Sequence, residues 1–204
     1  MRIAFVSPPA STGARIAEHT RRLVPHLREH CELQPIESAA ASPGSFDQIV
    51  FQVGNEAACA FMPALIRRLG GVVVLHDWSL RDLALAAWPE IGRGGVAATL
   101  RAWREGGLAE VRARGRGSGP MSPLNRSVVR FADAFLVHDR DLVDRILADR
   151  NAPTPVALLR SCAEDEACWA ELAREIVERL ESFPHPRSKR KSLLRTVVEA
   201  YEPR

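Results

Sequence analysis

Two His-Asp dipeptides, His76-Asp77 and His138-Asp139, are the most chemically able residues of the chain. Each follows four apolar residues, Val72–Leu75 and Ala134–Val137. A histidine there titrates near neutrality, so it can donate to a hydroxyl or phosphate or act as a base. The aspartate beside it can bind a hydroxyl or cap the next helix; Ser79 and Asp139 are equally placed as caps. Two further stretches offer backbone. The loop Pro8–Gly13 (PPASTG), with Pro9, Ser11, Thr12 and Gly13, precedes an amphipathic segment, where a phosphate would find free amides. It carries neither G-x-G-x-x-G nor a G-K-[ST] ending, which removes the dinucleotide fingerprint and the P-loop. Gly54-Asn55 ends another apolar run, as a tight turn or as a point of close backbone approach to a ligand. Glu18-His19 reads as a surface pair on the first helix. Neither G-x-S-x-G nor H-E-x-x-H is present, so serine-hydrolase and zincin chemistry have no support. Cys31, Cys59, Cys162 and Cys168 form no C-x-x-C pair; they read as reduced thiols, and no metal site or cofactor is expected.

The elements that must position these residues follow from hydrophobic period. Short runs that are apolar throughout and bounded by turn residues read as parallel strands buried on both faces. Val72–Leu75 and Ala134–Val137 are such runs; Ile3–Ser7, Phe46–Val53 and Val156–Leu159 read as further strands, with Cys31–Ile36 as a more polar edge strand. Between them lie segments of helical spacing. The first carries Ile16, Leu23, Val24 and Leu27, with a kink expected at Pro25. Another carries Phe61, Met62, Leu65, Ile66 and Leu69 and is closed by Gly70-Gly71. Ala39–Ser45 reads as a loop. Such alternation implies right-handed crossovers and a doubly wound α/β sheet, mainly parallel, with helices on both faces. Ligands of such sheets bind at the carboxyl ends of the strands, where both His-Asp pairs fall.

Gly92–Gly119 is rich in glycine and arginine. Val96, Leu100, Trp103, Leu108 and Val111 suggest two short amphipathic helices meeting at Gly106-Gly107, and Arg112–Gly119 reads as mobile. Ser122-Pro123 carries a capping residue and a proline and should open the next helix. Beyond Arg160, Glu164–Phe183 reads as one long helix and Ser188–Tyr201 as a basic one, separated by Pro184-His185-Pro186. Residues 1–160 thus form one Rossmann-like domain and 161–204 a helical appendage packing on it.

Composition narrows the partners. Net charge is only +3 over 204 residues, and the basic excess is confined to Arg93–Arg130 and Arg187–Arg195. Trp103 is the lone aromatic among the first of these arginines, which argues against nucleic acid and suits a membrane surface better. No apolar run approaches the roughly 20 residues of a membrane span. The start, MRIAFVSPP, reads as a first strand rather than a signal peptide, so the expected location is cytoplasmic.

Four stretches resemble the N-terminal, acceptor-binding half of bacterial GT-B glycosyltransferases of the family-four type. They are RIAFVSPPASTGARIAEHTRRLVPHL, FDQIVFQVGNEAACAFMPALIRRLGGVVVLHDWSLRDL, MSPLNRSVVRFADAFLVHDRDLVDRIL and, faintly, CWAELAREIVERL with RTVVEAY. The second, with its Gly-Asn and Val-Val-Leu-His-Asp, is the most specific. The resemblance implies that His76, Asp77, Gly54, Asn55 and the Pro8–Gly13 loop line the acceptor side of a cleft. It places His138 just before the interdomain hinge and gives the region Arg93–Arg116 a contact with a lipid-linked acceptor or the membrane face. That family binds its nucleotide sugar mostly in a second domain, with a basic residue and a paired-glutamate motif; no such motif follows Arg160 here. The expectation is therefore an acceptor-binding half that needs a donor-binding partner for transfer from a nucleotide sugar. The alternative is a non-catalytic scaffold that binds a sugar or a partner, which a homodimer across the face where the donor domain would dock would favour.

Overall fold

A computed structural model describes residues 1–38, 46–116, 122–149, 155–162 and 165–183. The expected loop Ala39–Ser45 and basic helix Ser188–Tyr201 lie outside these residues. Six strands, β1 (Arg2–Val6), β2 (Glu32–Ile36), β3 (Gln48–Val53), β4 (Val72–Leu75), β5 (Ala134–Val137) and β6 (Val156–Leu158), form one sheet in the order β2-β1-β3-β4-β5-β6. Every neighbouring pair is parallel. The fold is Rossmann-like α/β, and the polar strand β2 lies at an edge as its composition suggested.

The two faces of the sheet take different helices because the chain winds outward in both directions from β1. On one face α1 (Arg15–His30) and α8 (Glu166–Ser182) pack together over Ile3, Phe5, Val50, Val72, Val74, Ala134 and Leu136. On the other, Met62, Leu65, Ile66 and Leu69 of α2 (Met62–Leu69), Leu83 of α3 (Arg81–Ala87), Val128 of α6 (Arg126–Val129) and Leu142 and Ile146 of α7 (Arg140–Asp149) cover Phe51, Val73, Leu75, Phe135 and Val137. Alternate residues of each strand thus point to opposite faces, the period-two rule of a pleated strand. Phe5, Phe51 and Phe135 are no more than 1% exposed, and truncating any of them to alanine costs about 3–5 kcal/mol. The turn from α2 into β4 demands glycine: Gly71 has φ +106°, and a Cβ there would stand 2.8 Å from the Ile49 carbonyl of β3.

The chain departs from the sequence expectations at four places. Ser122-Pro123 does not open a helix; Leu124 has a left-handed φ of 51°, and α6 starts only at Arg126. Arg112–Gly115 belongs to a helix rather than a mobile segment, since α5 (Gly95–Gly115) continues to there, broken at Gly107 where φ is 74°. That break does match the expected junction. The orientation of α5, which follows the four-residue α4 (Glu90–Arg93), is inverted with respect to its apolar set. Val96, Leu100, Trp103 and Leu108 are 50–79% exposed, while Ala98, Ala102, Glu105, Glu110 and Ala113 face inward. The buried Glu105 carboxylate accepts from the Ser127 amide and hydroxyl at 3.1 and 2.6 Å, and that of Glu110 accepts from Ser122, tying α5 to the segment around α6. Burial raises the Glu105 pKa, against the lowering effect of the Ser127 bonds.

The cysteines are the fourth departure. Cys162 and Cys168 are joined in a disulfide that closes the connection between β6 and α8, so only Cys31 and Cys59 are free thiols. Local spacing hides this pair because the cysteines form no C-x-x-C motif, yet the fold brings their Cα atoms to 5.6 Å. Thiol titration of the chain unfolded without reductant should therefore find two thiols rather than four. Cys168→Ser should lower stability by about 2 kcal/mol or less, as fits so short a loop, in denaturant unfolding without reductant.

Candidate functional site

The parallel register of β4 and β5 pairs Leu75 with Val137, so the next residues, His76 and His138, sit side by side at the carboxyl edge. The strand period sends both to one face. Val72 and Val74, like Ala134 and Leu136, face α1 and α8, and His76 and His138 continue those two series. The rings lie 5.5 Å apart between centroids. His19, one turn into α1, completes the group. Its ring stands edge-on to His76 at 4.7 Å, 5.8 Å from His138 and 4.9 Å from Trp169 of α8. Three imidazoles from two strand ends and one helix thus meet at the sheet's rim, each half-buried.

Hydrogen bonds settle the tautomers of two of the rings, because an amide or peptide carbonyl can only accept. His76 Nε2–H donates to Gln52 Oε1 at 2.6 Å, and His138 Nδ1–H donates to the Arg160 carbonyl at 2.7 Å. The latter bond is helped by Arg160 itself, which is anchored to Glu171 and Glu175 of α8. The other nitrogen of each ring then carries a free lone pair when neutral. His19 Nδ1 and His138 Nε2 are buried with no hydrogen-bond partner among the described residues, as are Gln52 Nε2, Trp169 Nε1 and Thr20 Oγ1. A buried polar atom left unpaired costs about 1–3 kcal/mol. All three imidazoles resist protonation. Burial depresses His19 to about 4, with a further push from His138. Burial, then the two neighbouring histidines and Arg15, hold His76 well below its ordinary value. Burial also lowers His138, although its bond to Arg160 and the charge of Glu175 oppose the shift.

The other expected site residues go elsewhere. Asp77, one step out of phase with His76, turns to the opposite side, where its Oδ2 accepts from the Asn55 amide at 2.8 Å. Asn55 in turn exchanges two bonds with Asp82 at the start of α3: its Nδ2–H donates to Oδ2 at 3.0 Å, and its Oδ1 accepts from the Asp82 amide at 2.7 Å. Gly54 is held between α1 and Asp77, since a Cβ there would come within 2.6 Å of Ile16 and 3.2 Å of the Asp77 carboxylate. This trio therefore locks two loops together. Ala10–Thr12 of the Pro8–Gly13 loop forms a 3-10 turn in which Thr12 Oγ1–H donates to the Pro9 carbonyl at 2.7 Å and Gly13 has φ +65°. Ser11, Thr12 and Gly13 are exposed and Pro9 is half-buried. The first amides of α1, where a phosphate would sit, are taken: Glu56 accepts from Arg15 N at 2.9 Å and Ile16 N at 3.3 Å. Its carboxylate occupies the positive end of α1, as an anionic ligand would.

Two members of the cluster escape a reading by dipeptide. His19 had read as a surface residue beside Glu18; Glu18 does stay outside, paired with Arg21 and Arg22, but His19 turns inward. The signal was helical spacing: positions 16, 19, 20, 23 and 27 share one face of α1, whose apolar members are buried. Gln52 is a polar residue wholly buried within an apolar strand, in phase with Val50. The expectation that no metal would be bound rested on cysteine spacing. Among the described residues, His19, His76 and His138 form a group able to hold a metal ion, one ring nitrogen of each lying within 4.8 Å of the others. No family model matches the chain, and no curated protein matches it.

The depressed pKa of His19 makes acid destabilising. Its folded value of about 4 lies below the unfolded value of about 6.5, so the unfolded chain binds the extra proton between those limits. Its contribution to stability should be complete above pH about 6.5 and lost as pH falls towards about 4. NMR of chelator-treated protein should give the His19 ring a midpoint near 4, and the stability advantage of His19→Gln over wild type should grow across the same window.

Proposed function

We propose that the chain is the acceptor-binding half of a GT-B-type glycosyl transfer system, acting on a polysaccharide or glycolipid acceptor with a donor-binding half supplied elsewhere. The observation that carries this reading is the placement of His76 and His138 together at the carboxyl edge of a parallel sheet. There neutral imidazoles, each with its one N–H already committed to Gln52 or the Arg160 carbonyl, can accept from the hydroxyls of a sugar. His76 would contact the acceptor or the transferring sugar, its ring orientation held by Gln52. Asp77, engaged by Asn55, shapes the loop rather than supplying a base. In retaining transfer the leaving phosphate of the donor can take the acceptor's proton, so no protein base is required.

The face of α5 supports a membrane-proximal acceptor. Val96, Leu100 and Trp103, spaced by four and three residues, form an exposed apolar stripe. Trp103 also lines a groove of about 260 Å³ with Arg67, Arg104, Arg126 and Arg130. Cations beside an exposed apolar stripe match an interface of anionic head groups over acyl chains. No described helix is long and apolar enough to cross a membrane, so contact would be peripheral.

Calorimetry with a panel of oligosaccharide acceptors and nucleotide sugars tests the reading. The expected result is acceptor binding that weakens at least about tenfold in His76→Ala, the loss of roughly 1.4 kcal/mol, with no binding of nucleotide sugar alone. Absence of binding by every acceptor and every nucleotide sugar overturns it. Sedimentation with vesicles containing anionic lipid should carry the protein down, and Leu100→Ala with Trp103→Ala should abolish this; equal sedimentation with neutral vesicles would remove the basic groove from the account.

A further inference from the structure

We propose that His19, His76 and His138 form a binding site for one divalent transition-metal ion of zinc-like chemistry, with its fourth position left for water or a ligand oxygen. The proposal stands apart from the glycosyl-transfer reading, because it rests on the ring geometry and not on what binds beside it. Three imidazoles from different elements, with donor nitrogens within 4.8 Å of one another, are a facial set of neutral nitrogen ligands. Zinc bound at about 2.0–2.1 Å in tetrahedral geometry holds its nitrogens roughly 3.3 Å apart, so the rings need to draw in by about 1.5 Å or less. The set contains imidazole only. The carboxylates adjacent in sequence are engaged elsewhere: Asp77 by the Asn55 amide, Asp139 by the Asp141 amide, and Glu18 by Arg21 and Arg22. Nitrogen donors without oxygen donors favour zinc, copper, nickel or iron over magnesium or calcium.

The surroundings are those of a ligand set rather than of three stranded side chains. A metal-binding histidine commonly donates its second ring N–H to a carbonyl, carboxylate or water, which fixes the tautomer and aims the other nitrogen. His138 does this to the Arg160 carbonyl and His76 to Gln52 Oε1. The nitrogen of His138 left over, Nε2, is buried and unpartnered, and so is Nδ1 of His19. A second, independent observation at this locus is two buried donors without partners among the described residues. Gln52 is wholly buried and Trp169 is 4% exposed, yet Gln52 Nε2 and Trp169 Nε1 have no partner among the described residues. Gln52 bonds to His76 and the Trp169 ring lies against His19, so both belong to this one locus. Donors of this kind suit an oxygen carried on a metal.

The test uses the full chain without an affinity tag, stripped with chelator, titrated with Co²⁺ followed by visible absorption and with Zn²⁺ followed by calorimetry. One equivalent is expected, with Co²⁺ bands of four-coordinate geometry. His138→Gln and His19→Gln should each weaken binding by about 100-fold or more, and Gln52→Leu by about tenfold. His30→Gln should leave it unchanged, because His30 is exposed at the far end of α1. Should a variant fail to fold, NMR of the wild-type chain decides: Zn²⁺ should move the ring resonances of His19, His76 and His138 and leave those of His26 and His30 in place. No stoichiometric uptake, uptake that survives His138→Gln, or resonances moving only at His26 and His30 would each overturn the site. Metal uptake without saccharide binding would leave this proposal standing and remove the previous one; the converse would do the opposite.

Discussion

Adjacent parallel strands share a register, and a pleated strand shows alternate residues to alternate faces. Together these two constraints decide where the polar chemistry of this chain can stand. Leu75 pairs with Val137, so the residue after each must be a neighbour of the other. The same parity places Gln52 of β3 on the face where His76 emerges, and it places Asp77 on the opposite one. The two halves of the His-Asp pair are thus split by geometry into two networks, one of imidazoles under α1 and α8 and one of amides and carboxylates that join the β3 and β4 loops.

The imidazole network is built at an energetic disadvantage. Several polar atoms are buried together without partners, and burial suppresses the protonation that would let any ring form a charged bond. Apolar residues of similar size would pack the same space without those unpaired atoms. The neighbouring Asp77–Asn55–Asp82 network is satisfied by contrast, and so is the contact of Glu56 with the start of α1. Unpaired polar atoms confined to one locus of a sheet edge, beside well-paired ones, point to a site that is completed from outside the chain.

A different tension shows on α5. Its inward face carries alanines and two glutamates, and its outward face carries valine, leucine and tryptophan. The buried acids are held by hydroxyls and amides near α6, so the inward face packs by hydrogen bonds and close helix approach rather than by apolar volume. The apolar residues are thereby released to the surface, beside a groove rimmed by arginines.

The strands were legible in the sequence to within a residue or two, because strands buried in a parallel sheet are mostly apolar and stop at turn residues. The parallel sheet, its polar edge strand and the break at Gly107 followed from the same reading. His76 and His138 could be placed at strand ends for that reason, since local pattern alone fixes where a strand stops. What local pattern does not carry is pairing between segments distant in the chain. The disulfide between Cys162 and Cys168 depends on where the first turn of α8 stands relative to the end of β6. The occupation of the α1 amides depends on Glu56, some forty residues away. The outward turn of α5 depends on which neighbour its two faces meet. His19 belongs to the site only because α1 crosses the sheet with that turn above the ends of β4 and β5. The sequence alone determined which segments are strands and helices, since those are set by short-range period and turn chemistry. Tertiary structure decided which histidines meet and which carboxylates are spent on the backbone, because those depend on register and on the path of the crossovers.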